Sequence, residues 1–84
     1  MVGEFVLSVS GRDKGRVHVI VAVEAEGERV FLCDGKTRRM AKPKPKKLKH
    51  VKFLSYSNAE LNLAIANGCA DDRMIRSAIA QRET

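Results

Sequence analysis

The sequence predicts a mainly β fold, in which five short strands form a small barrel or two orthogonal sheets and a helical hairpin follows. Three observations predict this fold class. Apolar residues alternate with a period of two in the first two-thirds of the chain, glycines separate the alternating segments, and capped helical patterns begin only after residue 54. The 84 residues form one domain at most.

The first three strands are predicted by runs of apolar and β-branched residues. The first is EFVLSVS, which ends at a turn around Gly11. The second is VHVIVAVE, in which the four valines of residues 17–23 lie on one face and the residues between them on the other. The third is RVFLC, which follows a turn at Gly27.

The fourth and fifth strands are predicted on either side of a basic stretch. Asp34–Gly35 is a strong hairpin signal, so KTRRM at residues 36–40 is the expected fourth strand. HVKFL at residues 50–54 is the expected fifth. Because no helical period interrupts these strands, a parallel βαβ arrangement is not expected. We therefore divide the chain into a barrel at residues 1–54 and a two-helix extension at residues 55–84, within one compact unit.

A helical hairpin is predicted in the extension. SNAE at residues 57–60 has the spacing of a capping box, with its serine as the N-cap. The first helix runs to about Asn67, and a glycine follows as C-terminal cap. Asp71 or Asp72 caps a second helix that runs through Ala80 and carries one apolar stripe. The stripe consists of Met74, Ile75, Ala78 and Ile79. The hairpin either covers the barrel or contacts a protein partner.

Positive charge is concentrated in one part of the chain. The formal net charge is +6 and the pI is about 9.8. Residues 1–54 contain thirteen Lys and Arg against six acids, whereas residues 55–84 contain three against four. KTRRMAKPKPKKLKH at residues 36–50, called here the basic segment, contains eight Lys and Arg, both prolines and no acid.

The composition of the basic segment favours an anionic partner. Its prolines bias the preceding residues toward extended conformations, so we expect a stiff loop whose lysines project into water. Like charges at this density repel one another unless a polyanion such as a nucleic acid neutralises them. A loop that only aids solubility is one alternative. A membrane surface is another, but the sequence lacks a basic amphipathic helix or a lipidation motif.

The segment GRDKG is a second candidate phosphate contact. Gly11 and Gly15 allow a tight turn between two strands, which presents Arg12, Asp13 and Lys14 to solvent. We expect Asp13 to hold Arg12 or Lys14 in place. The alternative is a plain turn with charged residues.

Aromatic and cysteine residues add little chemistry of their own. Phe5, Phe31 and Phe53 are expected in the core, and Tyr56 follows the barrel, where it has access to a base. With so few aromatics, recognition of phosphates and RNA shape is favoured over base reading. The two cysteines are expected to be free, reduced and buried. With the two histidines they lack the paired spacing of a zinc site, so no metal is expected.

Five elements in order carry a family resemblance: GRDKG, the Val-rich strand, DGK-x-R, KPK-x-KK and KH. With these, residues 4–54 resemble the KOW domains, most closely the bacterial KOW-type RNA-binding proteins. Through them the chain is similar to the archaeal and eukaryotic large-subunit ribosomal protein family fourteen-e. The MIRSAI segment is also similar to the C-terminal end of the bacterial members. Many KOW motifs have a further glycine where this chain has His18.

The resemblance implies a five-stranded SH3-like barrel that binds RNA, with ribosomal RNA as the expected partner. By motif position it implies an RNA-binding surface made by the glycine-bounded loop and the basic segment. Its residues are Gly11, Arg12, Asp13, Lys14, Gly15, Arg16, Lys36, Arg38, Arg39, Lys42, Lys44, Lys46, Lys47, Lys49 and His50.

We therefore expect an RNA-binding protein associated with the ribosome or translation, monomeric when free. The alternative is a protein-interaction module, an adaptor to a ribosomal protein or polymerase that uses the barrel and the helices. Sequence-specific DNA binding by the tail is disfavoured, because Asn67 and Ser77 occupy positions where a helix-turn-helix needs apolar residues. No enzyme or cofactor is expected, since Walker-type loops and catalytic triads are absent from the sequence. With no secretory segment and no apolar run longer than VIVAV, we expect a cytoplasmic protein without membrane contact.

Overall fold

The computed structural model describes residues 1–83 and contains five strands and two helices. The strands are β1 (Glu4–Ser8), β2 (Val17–Val23), β3 (Arg29–Cys33), β4 (Lys44–Lys47) and β5 (Val51–Ser57). The helices are α1 (Ala59–Ala66) and α2 (Asp72–Glu83), and one turn of 3₁₀ helix (Leu48–His50) lies between β4 and β5. The mainly β fold with a C-terminal helix pair is thus confirmed.

The strands form one antiparallel sheet in the order β4-β3-β2-β1-β5. The register shifts between Glu4 and Val6 where β1 pairs with β5, and between Ile20 and Ala22 where β2 pairs with β3. Such bulges bend a strand and increase its twist. In this strand order β1 and β5, the first and last strands of the sequence, are neighbours, and β4 and β5 form the two edges of the sheet.

The fourth strand was predicted at residues 36–40, and this prediction is wrong. The Asp34 carboxylate accepts hydrogen bonds from the backbone N–H groups of Lys36 (2.9 Å) and Arg38 (2.8 Å), so the chain folds into a local turn after β3. The strand forms later, at Lys44–Lys47, with Pro45 opposite Phe31. Proline is tolerated there because β4 is an edge strand.

Both faces of the sheet are buried. On one face Phe5, Val19 and Cys33 pack in a cluster with residues from the two helices. The helix residues of this cluster are Leu61, Ile75 and Ala78. On the other face Val6, Ile20, Val30 and Leu32 form a second buried cluster, against which Leu48 and Val51 pack. The two clusters explain why consecutive residues of β1, β2 and β3 are buried, since a strand alternates between faces.

The helical hairpin packs on the sheet, which is one of the two roles expected for it. The buried residues of α2 belong to the predicted apolar stripe. Asn58, rather than Ser57, is the N-cap of α1 and accepts from the N–H of Leu61 (2.9 Å), because Ser57 still belongs to β5. Asp71 caps α2 in the same way, and α2 extends past the predicted end at Ala80.

The predicted glycine cap of α1 is confirmed. Gly68 has φ +70°, and its N–H donates to the carbonyl of Ile65 (3.1 Å). The N–H of Cys69 donates to the carbonyl of Ala64 (2.8 Å). These two bonds form a Schellman motif, which sets the direction in which the chain leaves α1 toward α2.

Two predictions of burial are corrected. Phe5 is fully buried and meets Tyr56 edge to face, with ring centroids 4.9 Å apart, but Phe53 is 38% exposed. Phe53 lies on the edge strand β5, where neither cluster covers it. Both cysteines are free, as predicted, but only Cys33 is buried. Burial raises the pKa of the Cys33 thiol to about 11.

Candidate nucleic-acid interface

The loop between β1 and β2 folds as the two glycines of GRDKG require. Gly11 and Gly15 have φ values of +77° and +85°, in the left-handed region that favours glycine. The N–H of Lys14 donates to the carbonyl of Gly11 (3.2 Å), and the N–H of Gly15 donates to that of Ser8 (2.8 Å). The loop therefore presents Arg12 and Lys14 to solvent, and both are exposed.

Asp13 was predicted to hold Arg12 or Lys14, and this prediction is wrong. Its side chain is buried and accepts a hydrogen bond from Nη2 of Arg38 at 3.4 Å, while Nζ of Lys44 lies 3.7 Å from the same oxygen. The loop thus turns its one acid inward, toward the basic segment. Asp13 joins the two predicted phosphate-binding elements into one structure.

The charge environment keeps Asp13 ionised. Burial raises the pKa of its carboxyl, but the hydrogen bond from Arg38 and the charges of Arg38 and Lys44 act in the opposite direction and outweigh burial. The net result is a pKa below the usual 3.8. At neutral pH the Asp13 carboxylate therefore partly neutralises the charges of Arg38 and Lys44 in the basic segment.

Lys46 also serves the fold, although its side chain was predicted to project into water. It is 8% exposed, and Nζ donates to the carbonyl of Ser10 at 2.7 Å. This bond joins edge strand β4 to the β1–β2 loop. A buried ammonium needs such a partner, because an unpaired one is costly to remove from water. Lys46 is therefore turned away from solvent, unlike its neighbour Lys47.

His18 is buried at the same junction. It is 1% exposed, and Nδ1 lies 3.1 Å from the carbonyl of Arg16, to which it donates when it carries the proton. Burial lowers its pKa below 6.5, although the bond to Arg16 and the carboxylates of Asp34 and Asp13 act in the opposite direction. His18 is therefore a neutral structural residue, whereas His50 is partly exposed at the end of the 3₁₀ turn.

Eight of the predicted site residues are exposed cations. None of the eight forms an ion pair with the side chains of residues 1–82. They are Arg12, Lys14, Arg16, Lys36, Arg39, Lys42, Lys47 and Lys49. Nη1 of Arg16 donates to Oγ1 of Thr37 at 3.4 Å. A cleft of about 600 Å³ runs along residues 37–45 of the basic segment.

Helix α2 holds the turn of the basic segment, which the sequence did not predict. The Asp72 carboxylate accepts from the N–H of Met40 (2.8 Å), and Nη1 of Arg76 donates to the carbonyl of Gly35 (2.7 Å). A Cβ on Gly35 would collide with the carbonyl oxygen of Asp72. No local pattern marks these partners, because they are 32 and 41 residues apart in the chain.

Neither a metal cluster nor a membrane-spanning helix is found in the part of the chain that the structure describes. Among the side chains of residues 1–82, no three His, Cys, Asp or Glu lie close enough to share a metal ion. Neither α1 nor α2 has the length and hydropathy that a bilayer-spanning helix needs. The candidate site is thus a basic surface on a small antiparallel sheet, supported by buried polar contacts.

No protein-family model matches the chain, and no curated protein matches it either. The class that the fold and the site define is a small β-sheet protein with a helical cover and a basic face.

Proposed function

We propose that the chain is an RNA-binding protein that contacts the phosphate backbone through the β1–β2 loop and the basic segment. The observation that carries this proposal is the set of eight exposed cations without an ion pair to the side chains of residues 1–82, on two elements that Asp13 and Lys46 join. Unpaired cations at this density repel one another, and phosphates relieve that repulsion.

The proposal divides the predicted site residues into two groups. Asp13 and Lys46 are buried and hold the loops together, with Arg38 and Lys44 partly engaged by Asp13. The exposed cations contact phosphates. Base reading has little support, because Tyr56 packs against Phe5 and leaves Phe53 as the one exposed phenylalanine among the described residues. A single exposed ring offers little surface for base stacking.

We further propose that the sheet closes as an SH3-like KOW barrel. The cluster of Val6, Ile20, Val30 and Leu32 is buried although it lies on the face opposite the helices. A curled sheet explains how that face is covered. The bond from Lys46 to Ser10 joins edge strand β4 to the β1–β2 loop, which supports closure.

The partner we propose is ribosomal RNA, with a role at the ribosome or in translation in the cytoplasm. This follows from the resemblance to KOW proteins and from the phosphate chemistry of the surface. Sedimentation of a tagged copy through density gradients at low and high salt tests it, with sequencing of crosslinked RNA. We expect the protein to sediment with ribosomal particles at low salt and to be released at high salt.

The first prediction concerns salt. If about five phosphates are contacted, log K against log salt should have a slope of roughly −3 to −5, because each contact releases condensed counterions. Filter binding of ribosomal RNA at several salt concentrations measures this slope. A flat dependence would contradict the phosphate mechanism.

A further inference from the structure

A second basic groove lies at the start of the basic segment, and the sequence did not indicate that α2 contributes to it. Its volume is about 320 Å³, and its walls come from the start of β2, the turn after β3, and α2. Three cations line it: Arg16, Lys36 and Arg76. Arg76 belongs to the extension at residues 55–84, which has a net charge of −1 and was not expected to contact RNA.

The two arginines are held on the same turn. Arg76 donates from Nη1 to the carbonyl of Gly35 (2.7 Å), and Arg16 donates from Nη1 to Oγ1 of Thr37 (3.4 Å). A guanidinium has five N–H donors, so each arginine keeps donors for a ligand after this one bond. Side chains that are already positioned lose less entropy when they bind.

The electrostatic balance of the groove is positive. Asp34 is the only acid in its lining, and Oδ1 of that carboxylate already accepts from the backbone N–H groups of Lys36 and Arg38. One carboxylate against three cations leaves a net positive charge. Gly15 at the rim has no side chain, and the position of its absent Cβ has no neighbour within 4 Å, so the approach is open.

We propose that this groove binds a phosphate of the same RNA strand that the basic segment binds, so that the RNA passes over α2. The proposal rests on the proposed function. Arginine is suited to it, because the planar guanidinium donates two parallel hydrogen bonds to a phosphate. Arg76 thus gives the helical hairpin a direct part in RNA binding, in addition to its packing on the sheet.

The test compares Arg76→Gln with Arg73→Gln in the full chain. Arg73 is an exposed arginine of the same helix, and it lines a different cleft, with Glu60 and Asp71. Both substitutions remove one positive charge. For a labelled single-stranded RNA we expect Arg76→Gln to weaken binding about fivefold at about 0.1 M salt and to reduce the salt slope by about 0.7, the contribution of one phosphate. Arg73→Gln should change affinity less than twofold.

Two additional variants separate the loss of charge from a loss of stability, in case Arg76→Gln destabilises the packing of α2. Arg76→Lys retains the charge and should keep most of the salt slope. Arg16→Gln removes the cation of the opposite wall and should reproduce the fivefold loss. Melting curves of every variant give the folded fraction by which affinities are corrected. Equal affinities of Arg76→Gln and Arg73→Gln would overturn the proposal.

The design separates this inference from the proposed function. If the wild-type protein does not bind RNA, the proposed function fails. If it binds, and removal of exposed lysines in the basic segment weakens binding while Arg76→Gln does not, only the groove proposal fails. The last experiment titrates the protein with inorganic phosphate and monitors the backbone chemical shifts by NMR. Shifts at Gly15, Arg16 and Arg76 without an RNA effect of Arg76→Gln would identify a free-anion site and overturn the proposal.

Discussion

Single residues at the junction of loops and helix determine whether the basic face has a fixed shape. Gly35 is the clearest case, since it has φ +79° and lies against α2. A Cβ there would collide with the Asp72 carbonyl and lie 2.8 Å from Cγ of Arg76. Gly27 has a similar φ of +75°, but nothing lies within 4 Å of its Cβ position.

This pair of glycines gives a matched prediction. Gly27→Ala should lower the free energy of unfolding by about 1–2 kcal/mol, the cost of a left-handed alanine. Gly35→Ala adds the steric conflict with α2 and should cost about 2–5 kcal/mol in total. Urea denaturation measures both values. Equal losses for the two variants would show that α2 does not press on the turn.

Burial of His18 should make the stability of the folded protein depend on pH. Its folded-state pKa lies below 6.5, so the unfolded chain binds the proton more readily than the folded protein. Stability from this residue is therefore complete above about pH 6.5 and falls as the pH decreases below that value. The Asp13 pKa is also lowered, but from 3.8, so its contribution is lost only in more acidic solution. Melting temperatures measured between pH 7 and pH 5 therefore report the contribution of His18 separately from that of Asp13.

The variant His18→Gln should have a flatter melting profile between pH 7 and pH 5 than the wild type. His50→Gln is the control, because His50 is partly exposed in the wild type. A wild-type melting temperature that stays constant over this interval would contradict the assignment of His18 as a buried neutral group.

At the scale of elements, the basic segment combines a structural strand with exposed cations. Replacement of Lys42, Lys47 and Lys49 together by Ala should leave melting nearly unchanged, since all three are exposed and without ion pairs in residues 1–83. RNA affinity should fall about 100-fold at about 0.1 M salt, if each lysine contacts one phosphate.

Lys46→Ala is the contrasting variant for this prediction. It removes the charged donor to the Ser10 carbonyl, which then accepts only from the Ser8 hydroxyl (3.2 Å), and it should cost about 1.5–3 kcal/mol, the contribution of a hydrogen bond to a charged group. Filter binding and thermal melting of both variants distinguish the two roles. A triple variant that loses cooperative melting would show that the exposed lysines are structural as well.

The elements differ in how far the sequence predicts them. Strand β2 and both helices follow from local signals, because alternation and caps act over a few residues. Strand β4 was misplaced, since Asp34–Gly35 has the pattern of a hairpin while the Asp34 side chain closes a local turn. Of the site, the exposed cations were predicted. The partners of Asp13 and Lys46 were not, because they are 25 to 36 residues away in the chain.

At the scale of the whole molecule, the helices and the sheet share one core. Ile75 is fully buried in the cluster that contains Phe5, Val19 and Cys33, whereas Leu63 on α1 is 64% exposed. An adaptor that binds partners through the apolar stripe of α2 would need that stripe to be free. Its buried residues instead pack in the cluster on the sheet, so this part of the stripe is not free to bind a partner.

The last prediction tests this shared core. Ile75→Ala should lower the free energy of unfolding by about 2–5 kcal/mol, while Leu63→Ala should change it by no more than about 0.5 kcal/mol. Truncation after Asn58 leaves β5 intact but uncovers the cluster around Phe5, so we expect cooperative melting to be lost. The domain is small, and several kcal/mol is a large share of its stability. A truncated protein that melts at the wild-type temperature would restore the adaptor alternative. A truncated protein that stays folded but binds no RNA would instead place the main RNA site on the helices.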